Sequence, residues 1–456
     1  MNDAFWDSIS QYRGLGLDPL QWITASSSEV TSLMLFESLK LNRKLNNLIE
    51  YSWYDAFPYS GKNPDITRRQ YDFRNPPLDR SEFVKKRIVS LFNIHEDDAC
   101  SVKNLMEGLF EFYAKVNPKP PVRCIRINTT SDPKAEFALC DYIDLHRGQK
   151  TGYTVFNTGC IEVIDPAQNP TSEINISMSL APALENLALM GCTFGFKIIP
   201  IYGAPSEEMI NSIQASHDAF GSKYNIPVDD YGSLKTEKLF LGGTVYGHSM
   251  KELPVRYDLV SPGMVILLTD KFGSLGPLTT LTIGKIDPMI HATTDLGSPI
   301  NYDNNDILRS LSHPRLSLSK VVSKYSPQFG NYFDTRENII AVHPVGRDGV
   351  MAALHLSRLS NSHLIIDTIP MKYRELSRAL TKDSLVSNST TAGNGCHLIV
   401  ASNEVANNVI EDLQKHNYDP IIIGRVAEKD GPKVSISNEL TEFVAAKYII
   451  NKFEAY

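Results

Sequence analysis

From residue 122 onward the chain alternates between short, continuously apolar runs and stretches in which apolar residues recur every three or four positions. R-C-I-R-I-N, F-A-L-C-D-Y-I-D-L, Y-T-V-F-N and C-I-E-V-I-D read as successive strands, and a long helical segment follows near 176–190. F-K-I-I-P-I-Y-G is the next strand, residues 206–220 the next helix, and L-F-L-G-G-T-V-Y-G returns to strand. M-V-I-L-L-T opens a second series with an all-apolar run, the pattern of a buried strand. A polar section rich in proline and asparagine, about 286–335, interrupts it. A helical stretch at 347–360, H-L-I-I-D, C-H-L-I-V-A, a helix at 403–416 and I-I-I-G-R-V then complete it. Alternation of this kind predicts layered α/β architecture.

The first 121 residues carry a different pattern. Ser26 and Glu29 have the spacing of a capping box ahead of a stripe at Val30, Leu33, Met34, Leu41, Leu45 and Leu48. Further helices are expected at 81–92 and 102–113, and residues 57–77, polar, aromatic and proline-containing, read as an ordered loop or an arm that wraps a partner. P-K-P-P at 118–121 ends regular structure. The expected organisation is a helical extension over 1–121, an α/β domain over 122–255 and a second over 256–456.

Composition narrows the function classes. A chain of 456 residues with 42% hydrophobic content can fill more than one core. Its formal net charge of -7 argues against a general nucleic-acid surface, and Lys85-Lys86-Arg87 is short enough to be a solvated helix face. The six cysteines contain no close C-x-x-C pair and read as free core thiols in a reducing compartment. No leader-like N-terminus or long apolar span is present, so a soluble cytoplasmic protein with no membrane partner is expected.

The candidate chemistry lies in turn phrases: G-G-T-V-Y-G from Gly242, K-F-G-S-L-G from Lys271 and S-T-T-A-G-N-G-C-H from Ser389. Gly243, Gly273 and Gly276 either admit a phosphate by close backbone approach or simply make tight turns. Lys271 is a counter-charge for phosphate or an exposed structural lysine. His397 is an acid/base candidate or a satisfied strand histidine, and Cys396 reads as core.

The order and spacing of these phrases, over about residues 122–440, resemble the superfamily containing aminoimidazole ribonucleotide synthetase, selenophosphate synthetase, the hydrogenase maturation factor that handles carbamoyl groups, and thiamine-monophosphate kinase. The selenophosphate synthetase branch looks nearest. The resemblance implies an α/β (α+β) two-domain fold whose N-terminal domains pair in a homodimer to form a shared barrel. It implies ATP in a cleft near that interface, magnesium bridging its phosphates to aspartates, and a small-molecule phosphoryl acceptor.

Residue by residue, the resemblance places Asp141 of F-A-L-C-D-Y-I-D-L at a metal position, with Asp144 close by. The next acidic strand end is occupied by Asn157, Thr158 or Gly159. A-L-E-N-L-A-L-M-G puts Asn186 where an aspartate is usual, beside Glu185. V-H-P-V-G-R-D-G puts His343 at a third such place, with Asp348 nearby. Cys100 and Lys103 resemble the reactive C-x-x-K pair, in which lysine stabilises a thiolate and binds phosphate; the plain alternative is a helix with a buried cysteine and a surface lysine. Asn186, Gly243, Lys271, Gly273, Gly276 and His343 are thus the candidate cofactor-binding residues, and Asp141 the candidate metal ligand. Replacing carboxylates by neutral groups removes the charge that offsets magnesium dehydration. Two functions therefore stand side by side: ATP-dependent phosphoryl transfer to a small nucleophile, and a catalytically degenerate nucleotide-binding or assembly module whose extension holds a protein partner.

Overall fold

The computed structural model describes residues 3–15, 70–71, 124–127, 137–144, 149–160, 168–230, 233–236, 239–278, 304–382, 388–428, 431–445 and 447–455. Among them the chain is mixed α/β, with two seven-stranded sheets. The first contains β1 (Gln70–Tyr71), β2 (Cys124–Ile127), β3 (Phe137–Asp144), β4 (Gln149–Cys160), β5 (Phe194–Ala204), β6 (Leu234–Lys235) and β7 (Phe240–Ser249). Its spatial order is β1-β2-β3-β4-β7-β5-β6, antiparallel throughout except for the β5 and β6 pair. The predicted strand at Y-T-V-F-N is longer than its apolar run suggests, because the flanking residues from Gln149 to Cys160, apart from Thr151 at a register shift, pair with a neighbour.

Helix α1 (Asp3–Gly14) buries Phe5, Ile9 and Tyr12, one face at i, i+4 and i+7. The Tyr12 hydroxyl donates to the Gln168 carbonyl at 2.7 Å and accepts from Asn175 at 2.8 Å, which docks α1 at the start of α2 (Glu173–Leu189). The expected helices at 26–48, 81–92 and 102–113 lie outside the described residues, while Gln70–Tyr71, read as loop or arm, pair with β2 as an edge strand.

Helix α2 begins where Ser172 caps the Asn175 amide, and it is buried over most of its circumference. It can lie this close to the sheet because Gly159 of β4 and Gly243 of β7 face each other in register beneath it. A methyl at Gly159 would sit 2.6 Å from the Ser179 carbonyl, and one at Gly243 2.6 Å from Leu180 Cδ2. Gly159→Ala is expected to cost about 1–3 kcal/mol by forcing α2 off the sheet. A denaturant midpoint unchanged from the parent would refute that close packing. Helix α3 (Glu207–Tyr224), capped by Ser206, lies beside α2 and ends at Asn225 in the left-handed conformation.

The second sheet holds β8 (Val265–Leu268), β9 (Ala341–Pro344), β10 (His363–Ile366), β11 (His397–Ala401), β12 (Ile421–Val426), β13 (Lys433–Ile436) and β14 (Glu454–Ala455), in the order β14-β13-β10-β12-β8-β11-β9. The helices of this part of the chain are α4 (Asn304–Ser312), α5 (Leu318–Lys324), α6 (Ala352–Ser360), α7 (Arg374–Lys382), α8 (Asn403–Gln414), α9 (Leu440–Phe443) and α10 (Lys447–Ile450), and α4 and α5 pack against α2. Helices α4 and α5 fall in the stretch expected to interrupt the pattern. Ile307 and Leu311, then Leu318, Val321 and Val322, are buried and Leu308 is half-buried, but serine, asparagine and proline between them obscure the period.

One continuous apolar core joins the layers: Leu180, Leu184 and Leu187 of α2 belong to the same cluster as Val322, Ile340 and Val342. Among the described residues, no helix is long and apolar enough to cross a membrane.

Candidate functional site

Two polar clusters sit where the sheets meet. Asn186, half-buried on α2, donates from its amide to the side-chain oxygen of buried Asn157 at the end of β4, 3.3 Å away. The resemblance puts Asn186 where an aspartate is usual, and Asn157, Thr158 or Gly159 at the other acidic strand end. Two carboxylates in such contact repel unless a cation or proton intervenes, whereas two carboxamides supply donor and acceptor to one another. Asp141 stands in β3 opposite Tyr153 of β4. Cys100 and Lys103 lie outside the described residues.

One helical position before Asn186, Glu185 is 1% exposed and reaches into the second layer. It accepts from the Arg315 backbone amide at 2.6 Å and from His397 Nε2 at 3.1 Å. A carboxylate only accepts, so Nε2 carries the hydrogen, and His397 Nδ1 is left buried without a partner. Arg315 is held in turn by Asp270 at 2.7 Å and by the Asn417 carbonyl at 2.6 Å, with its guanidinium 3.4 Å from the centre of the Tyr418 ring. Tyr418 closes the circuit by donating to the Arg315 carbonyl at 2.9 Å. Sequence reasoning noticed Glu185 and His397 separately and missed Arg315 and Asp270, since 212 positions separate the first two and nothing local links them.

The glycine-rich phrases meet beside this hub. Gly273 adopts φ +82°, and its amide donates to the Thr390 carbonyl at 3.4 Å. The Gly393 amide donates to the Ser274 hydroxyl at 2.6 Å, and Thr269 joins the Gly395 carbonyl to the His397 amide. A side chain at Gly273 would meet Met371 Cε at 2.5 Å, so this glycine serves both a left-handed turn and close packing. Gly276 is roomier, with Leu380 Cδ1 3.6 Å from the place of a methyl. Lys271 pairs with Asp419 at 2.7 Å, both partly exposed. Gly243 lies beneath α2, away from these turns.

His343 faces away from the hub. In the β9 and β11 register it is opposite Leu398, while His397 is opposite Pro344, so the two imidazoles leave opposite faces of the sheet. The His343 ring lies edge-on to His355 at 5.8 Å, and His355 Nδ1 is 3.4 Å from Asp348. Burial first, and then the imidazoles of His355 and His397, hold His343 well below the usual histidine range. Burial pushes the Cys396 thiol up, which disfavours a thiolate there. Among the described residues, no three histidine, cysteine or acidic side chains are grouped to hold a metal ion. Among the described side chains, the arrangement supplies neutral hydrogen bonds and paired charges rather than a converging carboxylate set.

No family model matches the chain, and no curated protein is similar to it in sequence. Solved structures overlap part of its backbone. The thiamine-monophosphate kinase of Stenotrophomonas maltophilia K279a is 17% identical, with 63% of this chain and 85% of that one covered at a TM-score of 0.45. The E. coli hydrogenase maturation protein HypE is 17% identical, with 65% and 85% covered and a TM-score of 0.45. The thiamine monophosphate kinase of Aquifex aeolicus is 14% identical, with 72% and 96% covered and a TM-score of 0.42. All three likenesses are of backbone arrangement.

Proposed function

We propose that this chain is a divergent selenophosphate-synthetase-related scaffold whose inherited cation cleft has become neutral, and that it acts as a nucleotide-binding or assembly module rather than as a magnesium-dependent phosphotransferase. The Asn157 and Asn186 amide pair carries this reading, because it satisfies itself at a junction that would otherwise require a cation. Calorimetry with ATP, with and without magnesium, tests it. Binding that is indifferent to magnesium, without phosphate release, is the expected result for a nucleotide module; steady ATP-dependent transfer by the purified protein would overturn the reading. The double substitution Asn157→Asp with Asn186→Asp should destabilise the fold by about 1–3 kcal/mol at neutral pH through carboxylate repulsion. Millimolar magnesium or manganese should restore part of the loss in a thermal melt. A double variant as stable as the parent, and unresponsive to cations, would mean that the two side chains are not held together.

A second reading is favoured by the meeting of the two glycine-rich phrases at Gly273 and Gly393. Here a cytoplasmic homodimer transfers phosphate from ATP to selenide, sulfide or a metabolite oxygen. Asp141 holds magnesium, Lys271 offsets phosphate charge, and Cys100 with Lys103 handles the acceptor. Such transfer needs chiefly orientation and electrostatic stabilisation. Phosphorus magnetic resonance after incubation with ATP, magnesium and anaerobic selenide separates the readings. A selenophosphate signal abolished by Cys100→Ala supports transfer, and ATP binding without that signal supports the module.

A further inference from the structure

Independently of either reading, the open edge of the first sheet carries a device of its own. Strand β5 is covered on its outer side by the chain that follows α3. The Asp229 amide donates to the Ile198 carbonyl at 2.8 Å, the Ile198 amide to the Pro227 carbonyl at 3.0 Å, and β6 pairs with Gly203 and Ala204. Two side-chain contacts fasten this cover: Lys197 to Asp229 at 2.7 Å, and the Tyr202 hydroxyl, donating to Asp230 at 2.6 Å. Beneath them, on α3, lies His217. It is fully buried, its ring is 5.1 Å from that of Tyr202, and neither ring nitrogen makes a hydrogen bond of acceptable geometry.

We propose that His217 is a buried acid sensor that governs release of residues 226–230 and 233–236 from the edge of the first sheet. An imidazole this deeply buried, with neither ring nitrogen well bonded, is held neutral while the cover is closed. Among the described residues, the groups facing it are few. Asp230 comes from the cover itself, Tyr202 from β5 and the Ile213 carbonyl from its own helix, while Asp218, next along α3, acts on Tyr202. Asp230 and Ile213 favour the charged ring, but burial outweighs them and holds it at about 4 against an ordinary 6.5. The carboxylate that favours an imidazolium here is the one now engaged by Tyr202, so protonation and a closed cover compete for Asp230.

The sign follows from linkage. Above pH 6.5 both forms are neutral and the cover stays closed. Below 6.5 the open form binds a proton that the closed form refuses, so opening gains about tenfold for each pH unit until the closed form also titrates near 4. Between pH 7.5 and 5.0 the gain is about thirtyfold. An uncovered β5 would present free backbone groups, a template for association.

Hydrogen exchange followed by mass spectrometry on the full chain, with rates corrected for the chemical effect of pH, tests this. Amides of 226–230 and 233–236 should lose about thirtyfold protection between pH 7.5 and 5.0 relative to those of β4 and β7, and His217→Gln should abolish the loss. Equal loss in parent and variant, or unchanged protection in the parent, overturns the proposal. Should His217→Gln fail to fold, judged by its β4 and β7 protection at pH 7.5, the parent's imidazole resonances decide. His217 titrating well below 6.5 together with the Asp229 amide supports the sensor; titration near 6.5 with that amide unmoved overturns it.

Discussion

Glu185→Ala is expected to lower unfolding stability by about 3–5 kcal/mol, the range for breaking a buried polar network by removing one partner. The Arg315 amide and His397 Nε2 would both lose their acceptor inside the interface between the layers, and each orphaned group costs about 1–3 kcal/mol. Glu185→Gln should cost less, about 1–2 kcal/mol, because the amide oxygen can still accept from Arg315 while the amide nitrogen opposes His397 until that ring changes tautomer. The order alanine worse than glutamine, read from urea midpoints, is the signature of the hub. Glu185→Ala within about 0.5 kcal/mol of the parent would show that the carboxylate is not buried between the layers. Arg315→Ala should loosen the same junction by another route, since it strips Asp270 and the Asn417 carbonyl together and bares the face of Tyr418.

Gly424→Ala is expected to cost at least about 3 kcal/mol and to reduce the yield of folded protein. Gly424 lies in β12, an inner strand of the second sheet, opposite Ile266 on one side and Ile366 on the other, at a register shift following Ile422. A methyl there would run into the Ile365 carbonyl, a backbone atom with no freedom to turn away, and would reach Ile366 Cα at 3.0 Å. Gly263→Ala is the control. Its φ of +88° carries a conformational penalty of about 1–2 kcal/mol, but nothing lies within 4 Å of the new methyl. Comparable midpoints for the two variants would refute the register at the bulge.

The hub and the bulge also show how far local sequence reaches. The I-I-I-G-R-V run announces a buried strand through its apolar residues, and the strand is there, but whether its glycine serves a ligand or a neighbouring carbonyl depends on which strands flank it. G-G-T-V-Y-G is a second case. Gly243 reads equally well as a phosphate turn, and the reason for it in this fold is Leu180 of α2, more than sixty positions earlier in the chain.

What the sequence determined by itself was therefore the α/β alternation and such elements as β3, α2, β5, α3, β7, β8, β10, β11, α8 and β12, because hydrophobic period and caps such as Ser172, Ser206 and Ser402 act within a few residues. The residues Asn157, Asn186 and His343 can also be read directly from it. Tertiary structure alone decided that Asn157 and Asn186 bond to each other, that His343 and His397 leave opposite faces of one sheet, and that Glu185 rather than Asn186 joins the layers. These are consequences of strand register and of the rotation of α2 about its axis. Both are fixed by burial summed over the whole core, and a one-residue change in either would present a different set of side chains to the junction.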